Sequence, residues 1–274
     1  MPEPRSEPSP AAPVVPTSAP QPEPPTVPPS VLGKTMQVLL AFTVEETQLG
    51  FTELRSRTGL SKATLHRLLG DLVGARLLEK TPDGYRLSRL VFELGMRASV
   101  ERTLLEVATP FLEDLYERTH ETVHLGVREG HEVVYVAKMG GHRQADAPSR
   151  LGGRMPMHAT AIGKALLAWS PAAVQEEVLA GRLRRCSPRT VVNRTVLRRQ
   201  LDEIVERGVA FEYEESAVGI TCVAAPVLGV DDEPLAGISV TGPVGRFQPA
   251  RHASAVHAAA AGVAATLARR ARLG

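Results

Sequence analysis

Cysteine is nearly absent: only Cys186 and Cys222 occur in 274 residues. Two thiols cannot build a disulfide framework, and their scarcity fits a reducing compartment. Aromatic residues make up 4% of the chain, with a single tryptophan, so cores must be built chiefly of leucine, valine and alanine. An excess of one charge is lacking too. The 32 basic and 30 acidic residues leave a formal net charge of +2, which gives no strong sign of a polyanionic partner through overall charge. No charged N-terminal run leads into an apolar stretch, as a secretion signal requires. The most apolar long segment, Ala255 to Ala268, falls short of the ~20 residues of a membrane span. Together these absences point to a cytoplasmic protein with no membrane partner.

What is present is unevenly spread. Twelve of the 22 prolines lie between Met1 and Ser30, with too few large apolar side chains to offset the entropy of ordering. Residues 1–30 are therefore expected to form a disordered tail. The length that remains suits two domains. From Val31 to Phe42 the apolar residues read as a short helix. A second helix is expected with Thr52 as N-cap and Glu53 in its first turn, ending at Gly59. Ser61 caps a third, whose Leu65, Leu68, Leu69 and Leu72 follow one-sided helical spacing, and Gly74 closes it. Leu77 to Lys80 and Tyr85 to Leu87 flank the turn formers Thr81-Pro82-Asp83-Gly84, which predicts a hairpin wing. Helical periodicity resumes at Leu90, with a kink or break expected at Pro110.

Beyond Thr119 the pattern becomes mixed. Strands are predicted over Thr122 to Arg128 and Glu132 to Met139, then a long loop from Gly140 to Met157. Helices follow at Ala161 to Trp169, Pro171 to Ala180 and Val196 to Glu206, and strands at Val209 to Tyr213, Ile220 to Val227 and Leu235 to Thr241. An alanine-rich helix from Pro249 to Arg272 ends the chain.

The two helices around Thr58-Gly59-Leu60 have helix-turn-helix spacing. On the second, the face opposite its leucines is centred on Ala63, Arg67 and Gly70, flanked by Thr64 and His66. Arg67 can fork onto guanine, Ala63 and the Thr64 methyl can meet a thymine methyl, and Ser61 and Lys62 can hold phosphate. Eight basic residues face three acidic ones between Arg55 and Arg89. That excess, to which Arg55 and Arg86 contribute, is what a phosphate-facing surface requires.

These residues carry a specific resemblance. The segment Thr58-Gly59-Leu60-Ser61-Lys62-Ala63-Thr64-Leu65-His66-Arg67-Leu68-Leu69 resembles the recognition segment of the IclR-type bacterial transcriptional regulators. Glu121-Thr122-Val123-His124-Leu125 and the run from Arg154 to Ala168 (RMPMHATAIGKALLA) are similar to the family's effector domain. So are Glu214-Glu215, Gly219, Cys222-Val223-Ala224-Ala225-Pro226 and Ile238-Ser239-Val240-Thr241-Gly242-Pro243. The resemblance spans about Val31 to Arg246 and implies an α+β chain. Its parts would be a winged helix-turn-helix over residues 31–89, a linker helix over 90–108 and a GAF-like α/β effector domain over 109–274. It further implies a ligand-responsive regulator, repressor before activator, that binds partly palindromic double-stranded DNA as a homodimer or dimer of dimers. Arg55 stands where the family usually has a small packing residue, so either its stem snorkels outward to reach phosphate or the packing of the second helix on the third is looser.

Thr160, Ala161 and Ile162 open a helix whose unpaired N–H groups suit an anion, and Ser239 and Thr241 share one strand face. The resemblance places an effector pocket among Met155, Ala161, Ile162, Glu212, Ile220, Cys222, Ser239 and Thr241, with a small organic acid as ligand. Gln144 and Ala147, where the family tends to place larger apolar groups, imply a roomier or more polar pocket. No catalytic group, metal or cofactor is assigned.

Two other classes compete. His120-Glu121-Thr122-Val123-His124 matches the H-E-x-x-H signature of zinc hydrolases. That chemistry needs a helix, whereas β-branched Thr122 and Val123 predict a strand, which sets the histidines ~13 Å apart. Cys222 with His158 could be read as nucleophile and base, but no third group is marked, and Cys222 is better read as pocket lining. A small-molecule sensor acting through protein contacts would be favoured only by an occluded basic face.

Overall fold

The computed structural model of the chain describes residues 30–43, 46–95, 97, 100–140 and 147–272. The proline-rich segment expected as a tail lies, Ser30 excepted, outside the described residues, as does Gln144. Ser30 caps α1 (Val31–Leu39) by accepting from Gly33 N–H. After β1 (Gln48–Leu49), α2 (Phe51–Thr58) begins earlier than expected. Its N-cap is the extended Gly50 and not Thr52, because Phe51 packs on the leucine cluster and draws the first turn forward. Gly59 ends α2 at φ 64, a left-handed conformation that favours glycine.

Ser61 caps α3 (Lys62–Gly74), which buries Leu65, Leu68, Leu69 and Leu72 against Val38, Leu49 and Leu54. Beyond it the left-handed residue is Arg76, at φ 60. A hairpin of β2 (Leu78–Thr81) and β3 (Gly84–Leu87) follows, and β1 pairs with the free edge of β3 in the order β1-β3-β2. The result is a winged helix-turn-helix.

Next come α4 (Arg89–Gly95) and α5 (Val100–Thr119). Of the kink or break expected at Pro110, the break does not occur, since α5 runs through it. Proline there removes one backbone bond, while Leu104, Val107, Ala108, Leu112 and Leu115 hold the helix in the core on both sides.

β4 (Thr122–Glu129) and β5 (Glu132–Met139) turn over Gly130, at φ 62. Part of the predicted loop is structured: β6 (Arg154–Pro156) pairs with β5, and a short 3-10 turn covers Met157–Ala159. Three helices follow: α6 (Ala161–Trp169), α7 (Ala172–Ala180) and α8 (Arg194–Arg207). After β7 (Ala210–Tyr213), β8 (Ile220–Leu228) and β9 (Pro234–Pro243), α9 (Pro249–Ala271) is the last element.

The six strands form one antiparallel sheet in the order β6-β5-β4-β9-β8-β7. Alternation sorts its side chains. Val123, Leu125, Val223, Ala225, Ile238 and Val240 pack against α5 and α9. The intervening His124, Cys222, Ser239 and Thr241 point to the other face, which α6 covers. Gly126 and Gly237 are cross-strand partners beneath Ile162. A Cβ on them would lie 3.2 and 2.8 Å from Ile162 Cγ2, so the missing side chains let the start of α6 press onto the sheet. The fold is α+β, a winged helix-turn-helix followed by a helix-flanked α/β domain. Among the described residues no helix is long and apolar enough to cross a membrane.

Candidate functional site

Two surfaces hold the candidate residues. On α3, Lys62, Ala63, His66, Arg67 and Gly70 are exposed and Thr64 is half-buried, opposite the buried leucines. Ser61 spends its hydroxyl on the helix itself, accepting from Thr64 N–H at 3.3 Å and donating to Thr64 Oγ1 at 2.9 Å. Arg55 is exposed on α2, so the departure noted in the sequence costs no packing. The local basic excess is partly neutralised. Arg57 pairs with Glu46 and Glu53 at 2.7 and 2.6 Å, Arg86 with Glu79 at 2.7 Å and Arg89 with Glu93 at 3.6 Å. Among the described residues, Arg55, Lys62 and Arg67 take part in no ion pair.

The second surface is a cavity between the sheet and the start of α6. All eight residues that the resemblance assigns to a pocket line it: Met155 from β6, Ala161 and Ile162 from α6, Glu212 from β7, Ile220 and Cys222 from β8, Ser239 and Thr241 from β9. Register brings them together, since Cys222 pairs across from both Glu212 and Thr241. Tyr135, Ser149 and Ser216, which no sequence pattern marks, also line the cavity, as does Thr160. His124 lines it too, a residue that both the zinc motif and the family resemblance contain but that neither assigns to the pocket. Its signal was the two-residue alternation that places it beside Ser239, its partner on β9.

Donors gather at the start of α6. Thr160 caps the helix by accepting from Gly163 N–H at 3.0 Å, and Lys164 N–H is taken by the Thr160 carbonyl. The Ala161 and Ile162 N–H groups precede the first helical bonds. Thr241 Oγ1 donates to Cys222 Sγ at 3.0 Å. His124 bridges two serines, with Nε2 2.7 Å from Ser149 Oγ and Nδ1 3.4 Å from Ser239 Oγ. Burial, helped by the charge of Lys138, pushes its imidazole down to about 3, so it is neutral at ordinary pH. Burial pushes the Cys222 thiol up to about 12, the opposite of an activated nucleophile. His158 does not partner it, since its Nε2 lies 2.9 Å from the Arg184 carbonyl.

Glu212 is the acidic wall. Burial pushes its carboxyl up to about 7, against the backbone bonds of Ser216 and Glu215 that favour the anion. Lys164 and Glu215 form a buried pair at 2.6 Å behind it. The open space measures about 20 Å³, room for little more than a water molecule. Ala147 lines it, while Gln144, on which the expectation of a roomier or more polar pocket also rests, lies outside the described residues.

The zinc motif has no helix to carry it. His120 precedes β4 at φ 52, Glu121 is held by Arg246 at 2.8 Å, and His124 lies within the strand. Among the described residues no group of three or more His, Cys, Asp or Glu could hold a metal ion.

Comparison with known proteins covers both surfaces. Residues 31–100 match the IclR helix-turn-helix domain, and residues 96–266 match the bacterial transcriptional regulator IclR C-terminal domain. The HTH-type transcriptional regulator XynR of Escherichia coli (strain K12) is 36% identical over 211 residues, 76% of this chain and 84% of its own. The regulator KdgR of the same organism is 33% identical over 81% of this chain and 87% of its own. Among solved structures, an IclR homolog from Microbacterium hydrocarbonoxydans complexed with 4-hydroxybenzoate has a TM-score of 0.80 at 30% identity, covering 88% of this chain and all of that one (100%). Thermotoga maritima IclR has a TM-score of 0.72 at 28% identity, covering 86% and 98%.

Proposed function

This chain belongs to the IclR family of bacterial transcriptional regulators, and from that premise we propose that it is a cytoplasmic repressor that senses a small organic acid. The observation that carries the reading is the union of an exposed basic face on α3 with a cavity at the start of α6 that holds several polar side chains. Residues 31–89 form the DNA-binding unit, 90–108 the linker and 109–274 the effector domain. Arg67 reads guanine, Ala63, Thr64 and His66 meet neighbouring base edges, and Ser61, Lys62, Arg55 and Arg86 hold phosphates. A homodimer or dimer of dimers matches two such faces to a partly palindromic operator. The relatives AllR and IclR, named as repressors, support the sign of regulation.

In the effector domain the carboxylate of the ligand meets the Ala161 and Ile162 N–H groups and the hydroxyls of Ser239 and Thr241. The relative crystallised with 4-hydroxybenzoate supports an organic acid. A cavity of about 20 Å³ must widen to admit it. The wall at Ala147 to Ser149 is tied by Lys138 Nζ donating to the Ser149 carbonyl at 2.7 Å and by the Ser149–His124 bond. Ligand then shifts the dimer by its difference in affinity for the two arrangements, with the linker as lever.

The test is a thermal-shift screen of small organic acids on the full chain, followed by DNA-affinity measurements with each hit. At least one acid is expected to stabilise the protein and change its DNA affinity. Ser239→Ala with Thr241→Val should remove that response and leave ligand-free DNA binding intact. A double variant that still responds would place the pocket elsewhere.

A further inference from the structure

A second cavity lies against β6 and the 3-10 turn, and it shares no lining residue with the effector pocket. It measures about 240 Å³, against about 20 Å³ for the first. The segment 154–160 stands between the two: Met155 and Thr160 line the first cavity, Pro156 and His158 the second. The other walls are His131 and Glu132 at the start of β5, Glu177 and Val178 on α7, and the loop from Gly181 to Arg184.

The charges on these walls are unequally committed. Seven arginines and no acidic residue lie between Arg182 and Arg199. Arg189, Arg198 and Arg199 are each paired with a glutamate. Arg182 and Arg184, both on the cavity wall, have side chains that enter no ion pair or hydrogen bond among the described residues. The two wall carboxylates are engaged, Glu177 with His131 Nε2 at 3.0 Å and Glu132 with Arg154 at 3.6 Å. His158 is only 4% exposed. A carbonyl can only accept, so the 2.9 Å contact with the Arg184 carbonyl puts the ring hydrogen on Nε2. Burial pushes the imidazole below its ordinary range, which keeps it neutral. Nδ1 of this buried ring is then an acceptor with no partner among the described residues.

Two guanidiniums without counter-ions suit a dianion. A phosphate monoester carries about −1.5 to −2 charges at neutral pH, and its oxygens match the paired N–H donors of arginine. The acceptors on Glu132, Glu177 and His158 suit hydroxyl hydrogens instead. A phosphorylated sugar presents both groups on one small molecule. Inorganic phosphate leaves the acceptors unanswered, and a free sugar leaves the arginines so. We infer that this cavity is a second small-molecule site, separate from the effector pocket, that takes a sugar phosphate, with the phosphate on Arg182 and Arg184 and a hydroxyl donating to His158 Nδ1.

Calorimetry on the full chain with ribose 5-phosphate, inorganic phosphate and free ribose tests this, at about 0.15 M salt to screen charges more than about 8 Å apart. Ribose 5-phosphate should bind the parent roughly tenfold or more tightly than either of the other two. Arg182→Ser with Arg184→Ser should weaken it by about tenfold or more. Neither side chain holds another residue, and the Arg184 carbonyl that His158 uses is untouched, so this variant keeps the fold. Ser239→Ala with Thr241→Val, and Lys62→Ala with Arg67→Ala, should bind the sugar phosphate as the parent does. Ribose 5-phosphate that binds no more tightly than inorganic phosphate or ribose, or equally well to the Arg182 and Arg184 double variant, would overturn the inference. So would its loss in either of the other double variants, which would move it to the effector pocket or to α3.

Discussion

Arg67 and Lys62 stand on the same exposed portion of α3 but suit different parts of a duplex. A guanidinium that forks onto a guanine edge recognises one base pair, whereas an ammonium at a helix N-terminus meets a phosphate common to every sequence. Arg67→Ala should therefore cost about 1–3 kcal/mol on the operator and relax selectivity at one position. Lys62→Ala should weaken all sequences about equally and lower the salt slope by about one. Competition binding of operator and scrambled duplexes separates the two, and variants that both bind like the parent would contradict this placement of the reading face. Several single residues were legible before any coordinates. Ser61 as a cap and Gly59 as a left-handed stop follow from local chemistry alone. The engagement of Arg57, Arg86 and Arg89 with nearby glutamates was not, because a count of charges does not say which are already paired. Nor was the bridging role of His124, whose two serine partners lie 25 and 115 residues away in sequence.

At the scale of elements, the start of α6 owes its position to the glycine pair under Ile162. Gly126→Ala would place a methyl 2.6 Å from Val133 Cγ1 and 3.2 Å from Ile162 Cγ2. Both neighbours are β-branched and stiff, so the helix or the strand must move. Overpacking of this kind costs about 1–3 kcal/mol. A chemical-denaturation curve should show that loss, together with weaker binding of whichever acid stabilises the parent. Parent-like stability would mean that α6 is not seated by this contact. Long elements were readable because periodicity accumulates over many residues, as in α3, α6 and the alternation of β8 and β9. β1 and β6, at two and three residues, carry no such pattern and are fixed by pairing with β3 and β5. Pro110 shows the converse, since a local breaker is overruled where a helix is packed against a sheet and α9 along its length.

For the whole molecule, a net charge of +2 gives almost no hint of a nucleic-acid partner, so affinity for DNA must come from a small local surface. The phosphate contacts made there set the salt dependence. The cavity was legible only through the family resemblance. Its eight predicted residues are scattered from Met155 to Thr241, and strand register, not spacing, gathers them. Regulation requires the two surfaces to be coupled, and the proposed lever is the segment from Leu90 to Ala108 that joins them along the chain. The most direct measurement is footprinting of the full chain on DNA upstream of its own gene, at rising salt and with and without an acid that stabilises it. The account predicts a protected, partly palindromic site, affinity that falls steeply with salt, and a change in protection when the acid is added. No protection at low salt, or protection indifferent to an acid that demonstrably binds, would contradict it.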